Sequence, residues 1–352
     1  MTRGITDSAV IVRTYEARDD AAWDEYVARS PKATLYHTTR WQEVLRRSFG
    51  SRNYAWLAED SAKTIRGILP TVHLRSLLFG NFLVSLPHSS YGGVCADDDD
   101  AAAALVNAAI ETAGTIRVDH VQLRQQSALP CALPYRDSKV SMHLSLAGGS
   151  AALWSSFDAK VRSQIRRPSK DGFVARMGGM EELDRFYAVF ATNMRDLGTP
   201  VFPRVLFENV LMLFPGEAWI CVVEGRGAPV AAALLLAHRD EIEIPWASSL
   251  RTQSRSAPNM LLYWTAIQFA AERGYNRIDF GRSTRDTGTY HFKRQWGATP
   301  TPQYWYYWLS RPGSLPELDP RSPKYRMAIS VWKRLPVPVA TALGPLLVRY
   351  IP

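Results

Sequence analysis

Cysteine is scarce in this chain. Cys95, Cys131 and Cys221 are scattered through 352 residues with no CxxC spacing. That excludes a disulfide framework, argues against a zinc site and fits a reducing compartment. Long apolar runs are missing too. No stretch reaches the roughly 18 uninterrupted apolar residues of a membrane span, and the first segment, MTRGITDSAVIVRTYEARDD, lacks the apolar core of a signal peptide. No set of His, Cys and Asp has ligand spacing, so no metal is expected. Acidic charge is the remaining shortage: 33 Asp and Glu stand against 42 Lys and Arg, a net charge of +9. The rest is ordinary. At 46% hydrophobic and 21% charged residues, the chain is globular rather than disordered, and its length suggests two domains.

The positive charge is concentrated. Residues 155–177 hold six Lys/Arg against two Asp, residues 276–296 five against two, and residues 311–352 seven against two acids. Such patches favour an anionic partner: a phosphate-bearing ligand, RNA or a lipid surface.

Periodicity orders the elements. In the first half we expect a strand at 9–15, helices at 18–27 and 39–49, and an antiparallel pair at 54–60 and 65–74. SLPHSSYGGV (85–94) reads as a strand entering a shaped loop. A helix capped by Asp97–Asp100 then covers 101–114, followed by strands at 118–126 and 139–146. In the second half, a helix covers 153–172 up to Pro168 and another covers 181–194. Strands follow at 218–224, 229–238 and 241–248, a helix at 258–273 opening on Pro258, and a strand at 276–282. The halves share this order, an internal duplication of two mixed α/β units. Boundaries are expected at 1–150, 151–312 and a basic tail at 313–352, with Gly148–Gly149–Ser150 between the units.

The polar equipment is densest from Asp279 to Gly297, DFGRSTRDTGTYHFKRQWG. A strand should lead into a loop and then a short helix at 290–296, on which Tyr290, Lys293 and Arg294 share a face. A loop-to-helix junction flanked by cations suits an anion. Asp279, among apolar neighbours, needs a partner; it is either in a salt bridge with Arg282 or a general base. Arg162 and Arg166, at i and i+4, present two guanidinium forks on one face.

Four stretches carry a family resemblance: HTTRWQEVLRRSFG (37–50), LPHSSYGGV (86–94), FDAKVRSQIRRPSKDG (157–172) and AERGYNRIDFGRSTRDTGTYHFKRQWGA (271–298). The chain resembles the FemAB (Fem/peptidyltransferase) branch of the GNAT-like acyltransferases, nearest to the FemAB-related proteins of exosortase and exopolysaccharide loci. The resemblance implies an α/β (α+β) fold of tandem GNAT-like domains, each a mixed, mostly antiparallel sheet flanked by helices. It implies acyl transfer to nitrogen from acyl-CoA or aminoacyl-tRNA, with no tightly bound cofactor. The family's Phe-Lys pair at the donor's reactive end matches Phe292–Lys293. Lys293 and Asp279 are then the expected catalytic residues, and Arg282, Ser283, Tyr290, Phe292 and Arg294 the donor site. Tyr91, His88, Lys160, Arg162 and Arg166 are expected toward the acceptor, an amine on a cell-envelope saccharide or peptide. There is neither a Q/RxxGxG/A pyrophosphate signature nor a coiled-coil arm.

The tail mixes Lys324, Arg326, Lys333, Arg334 and Arg349 with Trp332 and a proline-broken apolar segment. It suits either an interfacial anchor through 321–352 or packing on its own domain. The expected protein is a cytoplasmic N-acyltransferase, peripheral at the membrane's inner face if the tail anchors it, with tRNA a candidate partner. The alternative is a non-catalytic binder of an anionic glycolipid, a partner protein or RNA.

Overall fold

The computed structural model describes residues 10–316 and 323–352, with side chains from Arg326 onward in the second segment; Lys324 of the expected basic tail therefore lies outside the described side chains. The first half runs β1 (Ile11–Thr14), α1 (Asp20–Arg29), α2 (Thr39–Phe49), β2 (Arg52–Glu59), β3 (Ile65–Ser76), β4 (Gly80–Val84), β5 (Cys95–Ala96), α3 (Asp99–Thr115), β6 (His120–Gln125) and β7 (Tyr135–Ser145). The second half opens with α4 (Gly149–Ser156), α5 (Ala159–Lys170), β8 (Val174–Gly178), α6 (Leu183–Leu197) and α7 (Arg204–Leu213). It continues through β9 (Ala218–Gly225), β10 (Ala228–His238), β11 (Glu241–Ser249), α8 (Pro258–Glu272), β12 (Arg277–Thr284), α9 (Gly288–Arg294) and β13 (Thr299–Leu309). Two helices, α10 (Pro323–Trp332) and α11 (Val337–Val348), form the tail.

The local signals behave as their chemistry requires. Thr38 caps α2 by accepting the Trp41 N–H, and Gly50 ends it in the left-handed region at φ 63°. Asp98 caps α3 through the Ala101 N–H. Pro258 opens α8, where a missing N–H costs nothing.

All thirteen strands among the described residues join one sheet, ordered β1-β2-β3-β4-β6-β13-β7-β12-β11-β10-β9-β8, with β5 added against β3. From either edge the pattern is the same: four antiparallel strands, a parallel neighbour reached through a helix, then an antiparallel strand lent by the other half. β13 of the second half thus completes the first, β7 of the first completes the second, and the two pair with each other. The expected duplication is visible in this mirrored order. The halves are also bonded through one apolar core that draws on α2, α6 and α7. Asn209 donates to the Ser48 hydroxyl at 3.0 Å, and Arg40 pairs with Glu217 at 2.9 Å.

Two expected elements differ. Residues 85–94 form no strand: β4 ends at Val84, and Leu86 and His88 take positive φ, 49° and 68°. The helix expected over 153–172 is two helices. Phe157 turns into the core, Asp158 starts α5 by accepting the Val161 N–H at 2.7 Å, and α5 then continues through Pro168. Pro168 lies in the last turn on the buried stripe with Val161 and Ile165, where it packs on the core but offers no N–H to the preceding turn.

The tail packs on the body. Ala340, Gly344 and Val348 face inward one turn apart, and a Cβ on Gly344 would sit 2.4 Å from the Val201 carbonyl oxygen. Arg195 donates to the Leu335 carbonyl at 2.7 Å. The outer faces leave Met327, Val331, Leu343 and Leu346 exposed. Among the described residues no helix is long and apolar enough to cross a membrane.

Candidate active site

β11 and β12 run parallel over Glu241–Glu243 and Arg277–Asp279, then separate. The separation has a local cause. Gly281 takes φ 74°, and the register of β12 against β7 shifts between Asp279 and Arg282, a bulge that bends the strand away. Glycine is required: a Cβ there would press within 3.0 Å of the Ile244 carbonyl oxygen. The opening is a cavity of about 440 Å3, with Trp246, Tyr263 and Phe280 as apolar walls, Lys293 at one side, and His88 and Arg124 of the first half opposite.

Helix α9 delivers Lys293 to this opening. Its ammonium donates to the carbonyls of Gly281 at 2.9 Å and Arg282 at 3.0 Å. An ammonium has three donors, so one is left for whatever enters the cavity. Burial pushes Lys293 down to about 8, against the opposing pull of Asp279 and Glu243. Phe292 packs behind it on Tyr263, ring centroids 4.9 Å apart.

Beneath the opening lies a buried acid network. Asp279 is fully buried and accepts from the N–H groups of Gly281 at 2.8 Å and Met142 at 3.3 Å. Its other oxygen lies 3.4 Å from the Tyr91 hydroxyl and 3.5 Å from His143 Nε2. Burial opposes its ionisation, yet His143, the Gly281 N–H and Lys293 outweigh it and hold Asp279 below the usual carboxylate range. Glu243, which accepts from Tyr91 at 3.0 Å, goes the other way: burial and the charge of Asp279 push it well up. The two neighbouring carboxyls are thus driven apart, Asp279 down and Glu243 up. Burial also disfavours charge on His143, but Asp279 and Glu241 raise it overall. His143, Glu241 and Asp279 bring ligand atoms within 4.8 Å of one another, a spacing a metal ion could use, although Arg277 already pairs with Glu241.

The expected Asp279–Arg282 salt bridge does not form. The bulge turns Arg282 toward Trp305, its guanidinium carbon 4.9 Å from the ring centroid, while Asp279 is satisfied by Tyr91, His143 and the backbone. Of the expected catalytic and donor residues, Lys293 and Arg282 line the opening; Asp279 lies below it. Ser283 is buried with its hydroxyl unpartnered, Tyr290 and Phe292 pack on the core, and Arg294 faces solvent. His88 lines the opening, pressed between Phe49 and Phe202, and burial lowers it to about 3, so it is neutral. Tyr91 belongs to the acid network rather than to the cavity wall. Lys160, Arg162 and Arg166 do not reach the opening: Arg162 donates to the Phe157 carbonyl, ending α4, and Arg166 lies over Trp154.

Sequence reasoning missed Glu243, His143, Tyr36 and Arg124, which converge here from four separate elements and share no motif. It also missed Arg251 and Arg255 in the turn before α8. That turn ends in Ala257 at φ 51°, and no side chain caps the N–H groups of the helix. A pyrophosphate could sit there.

Residues 155–294 match the family model described as an acetyltransferase (GNAT) domain. No curated protein matches the chain. Among solved structures, FemX is similar over 84% of this chain and 97% of its own, at 15% identity and a TM-score of 0.64. L-PGS from Bacillus licheniformis is similar over 96% and 98%, at 12% identity and 0.55. A tandem GNAT protein from the clavulanic acid biosynthesis pathway is similar over 87% and 100%, at 11% identity and 0.54.

Proposed function

Starting from a chain with a GNAT acyltransferase domain inside a FemAB-like tandem fold, we propose that it moves an acyl or aminoacyl group from a carrier to an amine of a cell-envelope saccharide or peptide precursor. The observation that carries this reading is the opened β11–β12 pair with Lys293 at its side. A donor carbonyl held there would develop negative charge on its oxygen as the amine adds, and the free donor of Lys293 is placed to meet it. The same ammonium can instead steady the leaving thiolate or 3′-oxygen. Asp279 acts from below, through Lys293 and Tyr91, rather than by touching substrate. The donor's phosphates would rest on the α8 turn with Arg251 and Arg255, which serves acyl-CoA and the end of an aminoacyl-tRNA alike. The acceptor would enter from the first-half wall.

A lipid-borne acceptor suits the tail. Residues 326–352 hold four Lys and Arg and no Asp or Glu, beside the exposed Met327, Val331, Leu343 and Leu346. Basic and apolar groups together favour an anionic membrane surface, and would hold the protein at the inner face. The domain limits proposed are 1–150, 151–312 and 313–352, with β7 and β13 exchanged between the first two.

The test is binding and turnover of acetyl-CoA, longer acyl-CoAs and aminoacyl-tRNA by wild type and Lys293→Ala at two salt concentrations. Saturable binding of one donor, with turnover lost in the variant, supports the reading. If no donor binds, acyl transfer is abandoned in favour of a binding protein.

A further inference from the structure

We propose that Arg124 and Arg282 form a subsite for an anionic group, phosphate or carboxylate, carried by the acceptor. The subsite itself rests on geometry; only its assignment to the acceptor rests on the acyl-transfer reading above.

β6 alternates. Val121 and Leu123 point into the core beneath α3, so His120, Gln122 and Arg124 point to the other face. On β13, Tyr306 joins that same core, while Trp305 and Tyr307 share the face of Arg124. Arg124 is 1% exposed, and its guanidinium carbon lies 4.5 Å from the Trp305 ring centroid. Arg282 lies 4.9 Å from the same ring. One tryptophan therefore carries two guanidinium groups.

Neither forms an ion pair with an Asp or Glu among the described residues. Arg124 donates to the Ser89 carbonyl at 2.8 Å, but its Nε has no partner. Burial, and then the charge of Arg282, push Arg124 down to about 9. Arg282 is solvent-accessible and has no ion pair among the described residues. The cavity over the pair, about 520 Å3, is lined by His120, Gln122 and the last residue, Pro352, and by no Asp or Glu side chain among the described residues. His120 is neutral, lowered by burial to about 4. Glu243, the carboxyl whose field reaches Arg282, is pushed well up by burial and by the charge of Asp279. A buried cation such as Arg124 without a counter-charge is strongly unfavourable, while two guanidinium forks match an oxyanion well. Arg124 and Arg282 line both this cavity and the one beside Lys293. An anion seated on them would leave the rest of the acceptor to reach the reacting carbonyl.

Calorimetric titration of the full chain with inorganic pyrophosphate, orthophosphate and acetate tests this without turnover. We expect saturable binding of at least one anion, unchanged in Arg167→Gln on exposed α5 and at least tenfold weaker in Arg282→Gln; which anion binds separates phosphate from carboxylate. Arg124→Met, if it folds, should behave like Arg282→Gln. Equal affinity in Arg282→Gln and wild type, or no saturable binding, overturns the subsite. So does a loss seen only in Arg255→Gln, which would place the anion on the α8 turn. Donor turnover that fails while anion binding persists would sink the acyl-transfer reading and leave the subsite standing.

Discussion

In the first half, β4 and β6 run parallel over Phe82–Val84 and His120–Gln122 and then separate; in the second, β11 and β12 do the same after Glu243 and Asp279. Past the point of separation the two halves diverge. The second half bends β12 at Gly281 and leaves an open cavity with a buried ammonium beside it. The first half closes its gap with its own chain. Ser85 N–H donates to the Gln122 carbonyl at 2.9 Å, and the Ser85 hydroxyl accepts the Arg124 N–H at 2.8 Å. Gly93 then comes so close that a Cβ would meet the Arg124 carbonyl at 2.8 Å. One frame thus gives two outcomes: a gap left open as a cavity, and a gap stitched shut that brings His88 and Arg124 to line that cavity.

The contrast predicts where each kind of damage will fall. The largest effect is expected at the open gap. Lys293→Met should lower turnover by about 10² to 10³, the range seen when a single oxyanion donor is removed, measured per folded molecule with the fold checked by circular dichroism, since the Gly281 and Arg282 carbonyls also lose a donor. Turnover within threefold of wild type would mean the open gap does not host the chemistry. Next is Gly281→Val. A β-branched residue at φ 74° against the Ile244 carbonyl should cost about 1–3 kcal/mol in chemical denaturation, and donor affinity should fall with it. At the stitched gap, Ser85→Ala leaves the buried Arg124 N–H unpaired, for about 1–2 kcal/mol of stability, yet turnover per folded molecule should hold. A hundredfold fall in turnover instead would make the first half a partner in the chemistry and break the comparison.

Much of the frame was legible because it rests on local signals: the Asp97–Asp100 run before α3 and Pro258 before α8. Lys293 was legible from its neighbours in sequence. The acid network was not. Glu243, His143 and Tyr91 meet Asp279 only because β7 is lent across the sheet and the loop after β4 folds under the cavity, and neither event leaves a spacing to read. Arg282 was misassigned for a related reason. Three residues from Asp279, it was within easy reach of a salt bridge on paper, and the bulge at Gly281 sends it to Trp305. SLPHSSYGGV was read as a strand entering a shaped loop; the loop is there but not the strand, since Leu86 and His88 take positive φ that pattern reading cannot see.

The smallest effect concerns pH, and its sign separates Lys293 from other groups. Burial sets its folded value at about 8, below the 10.5 of a free lysine. If the protonated ammonium is the working form, turnover should fall by about tenfold between roughly pH 7 and pH 9, close to 1.4 kcal/mol. Deprotonation of the acceptor amine would act in the opposite direction, raising the rate with pH. Stability should also run opposite to turnover. A group whose folded value is depressed stabilises the fold above its unfolded value and loses that contribution as pH falls through the folded one, so Lys293 adds stability between about 8 and 10.5 while activity declines. Lys293→Arg stays charged throughout that range. In this variant the descending limb should vanish from whatever rate remains. A limb that persists there belongs to another group, and the ammonium at the open gap would then serve to position the Gly281 and Arg282 carbonyls rather than to meet the substrate's charge.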